Sequence, residues 1–360
     1  MPVTLEQIAK ASGFSVPTVS RALTNHDYPV SPATRKRIVE VAQALGYKPN
    51  LAARSLRTDQ TNTIGIIVDD LLSPFVPSIV RGIQDYLRQF DYLTLIVNSD
   101  WDPAADQDAI NALVSRPVDG IIFVESPHLA VNEALINSNK PYIFAHRLFD
   151  STIQNSVVPD DYYGATLAVR HLISLGHHRI AYINGPEGWH TSRQRLAGYK
   201  DELTAQELPL LPAFIQTGDW DVEGGYAATK NLLELDEPPT AIFSANDAMA
   251  VGAIAAIQDM GLNVPSNIAI VGYDNRDFAR IVRPKLTTVS MPVYEMGLTA
   301  AELLLKQIEE GRQDTPEIKV KGQLFIRESC GADESRRAKE NLNMETITRR
   351  VLLHKDPDNY

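Results

Sequence analysis

Hydrophobic positions follow two rhythms along this chain. Up to about residue 46 they recur at helical spacing. Leu5, Ile8 and Ala9 share one face of a segment opened by Thr4-Leu5-Glu6-Gln7. This is a capping box: the threonine hydroxyl accepts an early backbone N–H, and Gln7 reaches back. Ser12-Gly13-Phe14 interrupts the pattern, with glycine suited to a positive φ. Ser15 N-caps a second helix running from Val16 to Leu23, with Pro17 in the first turn, where a missing N–H costs little. Ser31-Pro32 opens a third helix with Ile38, Val41, Ala42 and Leu45 on one face, and Gly46 ends it. Two short helices joined by a glycine turn and followed by a third predict a helix-turn-helix domain. Ala9 permits close approach, Gly13 makes the turn and Val19 plugs the core between the helices.

From Thr63 the rhythm changes. Short, continuously apolar runs at 64–68, 93–97, 120–124, 142–145, 180–183, 213–216, 241–244 and 268–271 alternate with amphipathic stretches such as 75–89 and 161–175. Apolar strands alternating with helices predict parallel sheets covered on both faces. Two sets of such units make two doubly wound lobes, with a ligand crevice at the carboxyl ends of the strands. The expected class is therefore an α-helical head followed by a two-lobed α/β body.

Charge sharpens the division. Residues 1–60 hold eight basic and four acidic side chains, whereas the whole chain of 360 residues is −11. A basic module on an acidic body is the electrostatic footprint of a nucleic-acid binder whose second domain does something else. The chain has no apolar run long enough for a membrane span and no export signal at Met1-Pro2-Val3. Its single cysteine, Cys330, cannot form an internal disulfide or a cysteine-based zinc site. These features predict a cytoplasmic protein. No Walker loop, GxGxxG, GxSxG elbow or metal-ligand cluster appears, so neither an enzyme nor a cofactor or metal is expected.

At this point the head resembles a known family. Val3-Thr4-Leu5-Glu6-Gln7-Ile8-Ala9-Lys10, the run from Ser15 to Leu23, and Gly46-Tyr47-Lys48-Pro49-Asn50 are similar to the N-terminus of the LacI/GalR family of bacterial transcription repressors. The resemblance implies that Val16, Pro17 and Arg21 read base edges in the major groove. Arg21 has suitable chemistry, since a guanidinium grips guanine O6 and N7 bidentately. It also implies DNA contacts from Thr4, Ser15, Thr18, Ser20, Asn25, Tyr47 and Asn50. Residues 49–58 match the family's hinge helix, in which Leu56 wedges into the minor groove and Arg54 and Arg57 lie near phosphates. Ala52, Ala53 and Leu56 support a helix there, but one so short is marginal alone and orders when two copies pack on DNA.

The resemblance continues to about Arg327 through stretches such as Asp119-Gly120-Ile121-Ile122, Leu175-Gly176-His177-His178-Arg179, Ala245-Asn246-Asp247-Ala248 and Val271-Gly272-Tyr273-Asp274. It implies a fold similar to periplasmic sugar-binding proteins, with three crossovers near 158–162, 288–293 and 320–325. The implied divisions are a helix-turn-helix at 1–47, a hinge at 48–60, an effector and dimerisation domain at 61–330 and a tail at 331–360. Within the effector domain, the first lobe takes 61–160 plus 292–322 and the second 161–290 plus 323–330. Effector contacts carry over to Phe75, His146, Trp189, Thr191, Arg195, Trp220, Asn246 and Asp274. His146 departs from the aspartate that many relatives have. Asp247, just after a strand, is expected to be a helix cap. The expected partners are operator DNA, a small effector and a second copy of the chain, with no membrane. The effector is a sugar or sugar derivative in this reading, and a purine or nucleoside in its alternative. A solute-binding protein without DNA function is a third reading, which the head and the missing export signal oppose.

Overall fold

The fold is that of a computed structural model describing residues 3–24, 30–47, 60–125, 139–146, 154–311 and 314–333. The chain divides into two compact units, Met1–Thr61 and Asn62–Tyr360. The first holds α1 (Leu5–Ser12), α2 (Val16–Thr24) and α3 (Pro32–Ala44). The capping box is formed at Thr4 and Gln7, and Gly13 closes α1 in the left-handed region at φ 80°. Ile8, Val19, Ala22, Ile38 and Ala42 interlock as the core. Arg35 ties α3 to α2 by donating to the Ala22 carbonyl at 2.8 Å. Leu45 departs from the expected apolar face. It lies past the last turn of α3 as its C-cap and is 41% exposed.

The second unit contains two six-stranded sheets. The first is built from β1 (Thr63–Val68), β2 (Leu93–Asn98), β3 (Gly120–Val124), β4 (Tyr142–Ala145), β5 (Ser156–Pro159) and β11 (Ile318–Val320), in the order β11-β5-β4-β3-β1-β2. The second is built from β6 (Ile180–Asn184), β7 (Ile215–Thr217), β8 (Ala241–Ser244), β9 (Ala269–Asp274), β10 (Thr287–Ser290) and β12 (Leu324–Phe325), in the order β12-β10-β9-β8-β6-β7. Neighbours are parallel except β10 and β12. The helices are α4 (Val76–Leu87), α5 (Pro103–Val114), α6 (Asp161–Ser174), α7 (His190–Ala205), α8 (Val222–Leu233), α9 (Asp247–Asp259) and α10 (Val293–Glu310).

Strand side chains alternate between helix layers. Ile64, Ile66 and Val68 pack with α4 and α10, while Ile67 faces Ile110 and Leu113 of α5. The chain passes between the sheets three times: from β5 into α6, from β10 into α10, and from β11 to β12. Strands β5, β10, β11 and β12 were not expected. β12 has only two residues, and Ser156, Pro159, Thr287, Thr288 and Lys319 interrupt the others, so none makes a continuous apolar run. The run expected at 213–216 begins instead as a 3-10 turn, Pro212–Phe214, because proline lacks a ladder N–H and favours a turn. The strand expected at 268–271 extends to Asp274, where β10 prolongs the ladder. Among the described residues, no helix is long and apolar enough to cross a membrane.

Glycine sets the closest helix approach. A Cβ on Gly252 of α9 would meet the Val222 carbonyl and come within 2.7 Å of the Tyr226 nitrogen of α8. Gly252→Ala gains about 1 kcal/mol of helix propensity, but neither clashing atom is a flexible side-chain end, and overpacking costs roughly 1–3 kcal/mol. A net loss of stability is therefore expected in urea denaturation, and a Gly252→Ala variant as stable as the parent would contradict this packing.

Candidate effector cavity and DNA-reading helix

In the first unit, Ser15, Val16, Pro17 and Arg21 are exposed, whereas Val19 and Ala22 on the opposite side of α2 are buried. This split leaves one face of α2 available for a groove. Thr18 and Ser20 are half-buried at its margin. The Thr18 backbone N–H donates to Ser15 Oγ at 3.4 Å, so the serine caps the helix as well as flanking the exposed face. Thr4 is exposed at the start of α1, and Tyr47 is half-buried after α3. Asn25, Asn50, Arg54, Leu56 and Arg57, and with them the hinge helix, lie outside the described residues.

In the second unit, loops at the carboxyl ends of the strands converge on a cavity of about 240 Å³. It is lined by all eight residues singled out from the sequence: Phe75, His146, Trp189, Thr191, Arg195, Trp220, Asn246 and Asp274. Five lining residues hold left-handed backbone: Trp101 (φ 58°), Glu125 (59°), His146 (60°), Trp220 (66°) and Asp274 (106°). Positive φ costs an L-residue roughly 1–2 kcal/mol, and it turns the chain sharply at the strand ends.

The deepest polar group is Arg195, 1% exposed on α7. Its Nε donates to Asp161 Oδ1 at 2.8 Å, and Nη1 donates to the Ala245 carbonyl. Nη1 also lies 3.8 Å from Asp274 Oδ1. The guanidinium stacks 3.5 Å above the Tyr273 ring. Burial opposes its charge, but Asp161, Tyr273 and Asp274 outweigh that penalty and hold its pKa above the ordinary arginine value. Nη2 stands 2.8 Å from the same Asp161 oxygen without hydrogen-bond alignment, and Trp220 Nε1 is likewise buried without a hydrogen-bond partner among the described residues. Two donors are therefore positioned for acceptors that these residues do not supply.

The cap expected at Asp247 falls instead to Asn246, which also lines the cavity. Asn246 is the N-cap of α9, accepting from the Met249 N–H at 2.8 Å, and its amide donates to the Trp220 carbonyl at 2.8 Å. Asp247 is the first helical residue. Its carboxylate accepts from Thr288 Oγ1 at 2.6 Å and from the Arg276 N–H at 2.7 Å, fixing the loop after β9. On the first lobe, His146 Nδ1 lies 2.7 Å from Glu125 Oε1, and the imidazole meets Phe75 edge-on. Sequence reading missed Glu125, Trp101, Arg276 and Met291. Glu125 carried a usable signal: it follows the apolar run of β3 just as His146 follows that of β4. Among the described residues, no group of three or more His, Cys, Asp or Glu is placed to hold a metal ion.

Burial pushes the carboxyls of Asp247 and Asp274 well above the usual carboxylate range. Asp274 is raised further by Asp247, and Arg195 pulls it partly back. The unfolded chain loses such protons near pH 4, while the folded chain keeps them to higher pH. Between those points the folded state binds more protons, so these groups make stability fall as pH rises. Asp274→Asn removes one such proton site. It should flatten the decline between pH 5 and pH 8 by about 1 kcal/mol or more in urea titrations. Parallel pH profiles for the two proteins would mean that Asp274 is ionised throughout.

Comparison with known proteins accounts for both units. Residues 4–50 match the bacterial regulatory proteins of the lacI family, and residues 169–330 match the periplasmic binding protein-like domain. The chain is 37% identical over 335 residues to catabolite control protein A of Priestia megaterium, covering 91% of this chain and 99% of that protein. The lac repressor dimer bound to operator and the anti-inducer ONPF superposes with a TM-score of 0.75 at 31% identity, over 92% of this chain and all of the other. The transcriptional regulator CelR in complex with cellobiose gives 0.66 at 28% identity, over 91% and 99% of the two chains. With the helix-turn-helix, the paired α/β lobes and similarity over 91% of the chain in agreement, the chain belongs to the lacI family of bacterial regulatory proteins.

Proposed function

We propose that this protein is a cytoplasmic, homodimeric transcriptional repressor with no catalytic activity, whose operator affinity is set by a sugar or sugar derivative bound between its α/β lobes. The observation that carries the effector class is the mixture in the cavity of aromatic faces with buried donors and a buried carboxyl group. A sugar offers hydroxyls to Arg195, Asn246 and Asp274, and apolar C–H faces to Trp220 and Phe75. The relatives give independent support, since the lac repressor was solved on operator DNA and CelR with cellobiose. A purine is less well served. Trp189 and Trp220 stand at 66° and Phe75 and His146 at 75°, so neither pair makes the parallel walls that a flat base stacks between.

DNA reading falls to α2, with Arg21 as the base-reading guanidinium and Val16 and Pro17 as apolar contacts. A helix-turn-helix of this kind reads two half-sites, which calls for a dimer. The edge strand β2 offers an apolar surface for it, with Leu93 68% exposed and Leu95 and Ile96 beside it. Effector and operator prefer different lobe arrangements, so each weakens the other by one shared coupling free energy, about 1–3 kcal/mol in typical systems.

Operator binding with and without effector, followed by fluorescence anisotropy, tests the reading. A saturating effector should shift operator affinity about 5- to 150-fold, and an unmoved affinity would refute the linkage for that ligand. Arg21→Ala should cost about 1–3 kcal/mol of discrimination at one base position while weakening binding to random DNA less. Leu56→Ala should weaken operator binding with effector affinity intact, and unchanged operator binding would remove its wedge role. All three tryptophans of the chain, Trp101, Trp189 and Trp220, line the cavity. Effector binding should therefore change the intrinsic fluorescence directly.

A further inference from the structure

The charged groups of the cavity are not equally engaged. Glu125 and His146 hold each other at 2.7 Å. Arg195 is paired with Asp161 at 2.8 Å and lies 3.8 Å from Asp274. Arg276 differs. Its backbone N–H is anchored to Asp247 at 2.7 Å, which fixes where the side chain starts. Its guanidinium makes no hydrogen bond or ion pair within the described residues and instead lies against two aromatic rings, Phe75 at 5.7 Å and Phe278 at 5.5 Å. Phe75 belongs to the first lobe and Phe278 to the second, so this half-buried cation spans the cleft.

An arginine in this setting is built for one kind of ligand group. Its planar fork presents five donors that match the oxygens of a phosphate or carboxylate, and its faces remain on the aromatic rings while its edge binds. Partial burial between rings strengthens a charge-assisted bond relative to one in open water. The donors and acceptors for sugar hydroxyls lie deeper, at Arg195, whose charge is already paired with Asp161, and at Asn246 and Asp274. The cavity is therefore polar in two ways: a deep part that fits hydroxyls, and a cation at the junction of the lobes that fits an anion.

We propose that the effector is an anionic sugar, carrying a phosphate or carboxylate, and that Arg276 recognises that group across the cleft. This rests on the sugar reading above. It adds that neutral parent sugars are poor effectors, and it makes Arg276 the residue that discriminates between them and the anionic forms.

The test is tryptophan-fluorescence titration of the full chain with matched sets: glucose, glucose 6-phosphate and glucuronate; galactose, galactose 6-phosphate and galacturonate; ribose and ribose 5-phosphate. An anionic member should bind at least about tenfold tighter than its neutral parent, the range of one charge-assisted hydrogen bond. The phosphate and carboxylate arms tell which group is read. In Arg276→Gln that preference should collapse to within about threefold, and in Arg276→Lys part of it should survive through charge without the bidentate fork. Neutral sugars binding as tightly as their anionic forms, or a preference that persists in Arg276→Gln, would overturn this inference and leave the sugar reading standing. A panel in which no sugar of either kind binds would overturn both. Melting temperature within a few degrees of the parent, measured on each variant, separates lost recognition from lost folding.

Discussion

Arg195 is a cation with almost no access to water, and the second lobe is organised around it. Asp161 opens α6, Arg195 sits on α7, Ala245 follows β8, and Tyr273 and Asp274 end β9. One guanidinium therefore joins two helices and two strand ends through an ion pair, a carbonyl and a ring face. Such a charge is tolerated only with its partners in place. Removing one partner of a buried pair typically costs about 3–5 kcal/mol, because the remaining charge stays buried. The surrounding sequence obeys this constraint. Gly164 has no side chain because Tyr273 occupies that space beneath the arginine, and Gly198, one turn along α7, lets α6 approach. The charge that orients the deep wall of the cavity is thus also part of the lobe's core.

The same economy explains the strained backbone at the strand ends. A β-strand sends successive side chains to opposite faces, so a residue at its end points into a helix layer or away from it. A left-handed residue there breaks the alternation and redirects the chain. Glu125 and His146 do this at the ends of adjacent strands and meet as a hydrogen-bonded pair. Their backbone N–H groups still continue the ladder, to the Ala145 and Val157 carbonyls at 3.1 and 2.9 Å. The sheet supplies the rigidity that holds such conformations, and so the polar groups sit on its rim and not on longer loops.

This arrangement also decides how much could be read from sequence. Phe75, His146, Trp220, Asn246 and Asp274 follow or closely trail apolar runs, and in a doubly wound sheet that position alone directs them to the crevice. The helical head was legible for a similar reason: its cap, turn and core residues lie within a few positions of one another. Partnerships formed over long sequence separations were not legible. Asp247 reads locally as a cap, but Thr288, 41 positions away, and the neighbouring loop claim its carboxylate, leaving the cap to Asn246. Arg195 reads as a ligand group, yet much of its bonding is structural. Arg276 gives no signal at all, since nothing in Asn275-Arg276-Asp277 reveals that its guanidinium lies beside Phe75, two hundred residues away.

The three passages between the sheets limit what a ligand can do to this body. Each lobe contains strands or helices contributed from both sides of a crossover, so neither can unfold or rotate far without straining all three connections. The available motion is a hinge about those strands, in which each sheet moves with its helices as a packed block. Ligand groups that contact only one lobe stabilise open and closed arrangements alike and shift nothing. The regulation proposed above therefore needs contacts spanning the cleft. Asn246, Asp274, Arg195 and Trp220 all belong to the second lobe, and Phe75, Glu125 and His146 to the first. A ligand held between the two sets favours closure, and the Arg276 guanidinium against Phe75 is a contact already positioned to change when the lobes move.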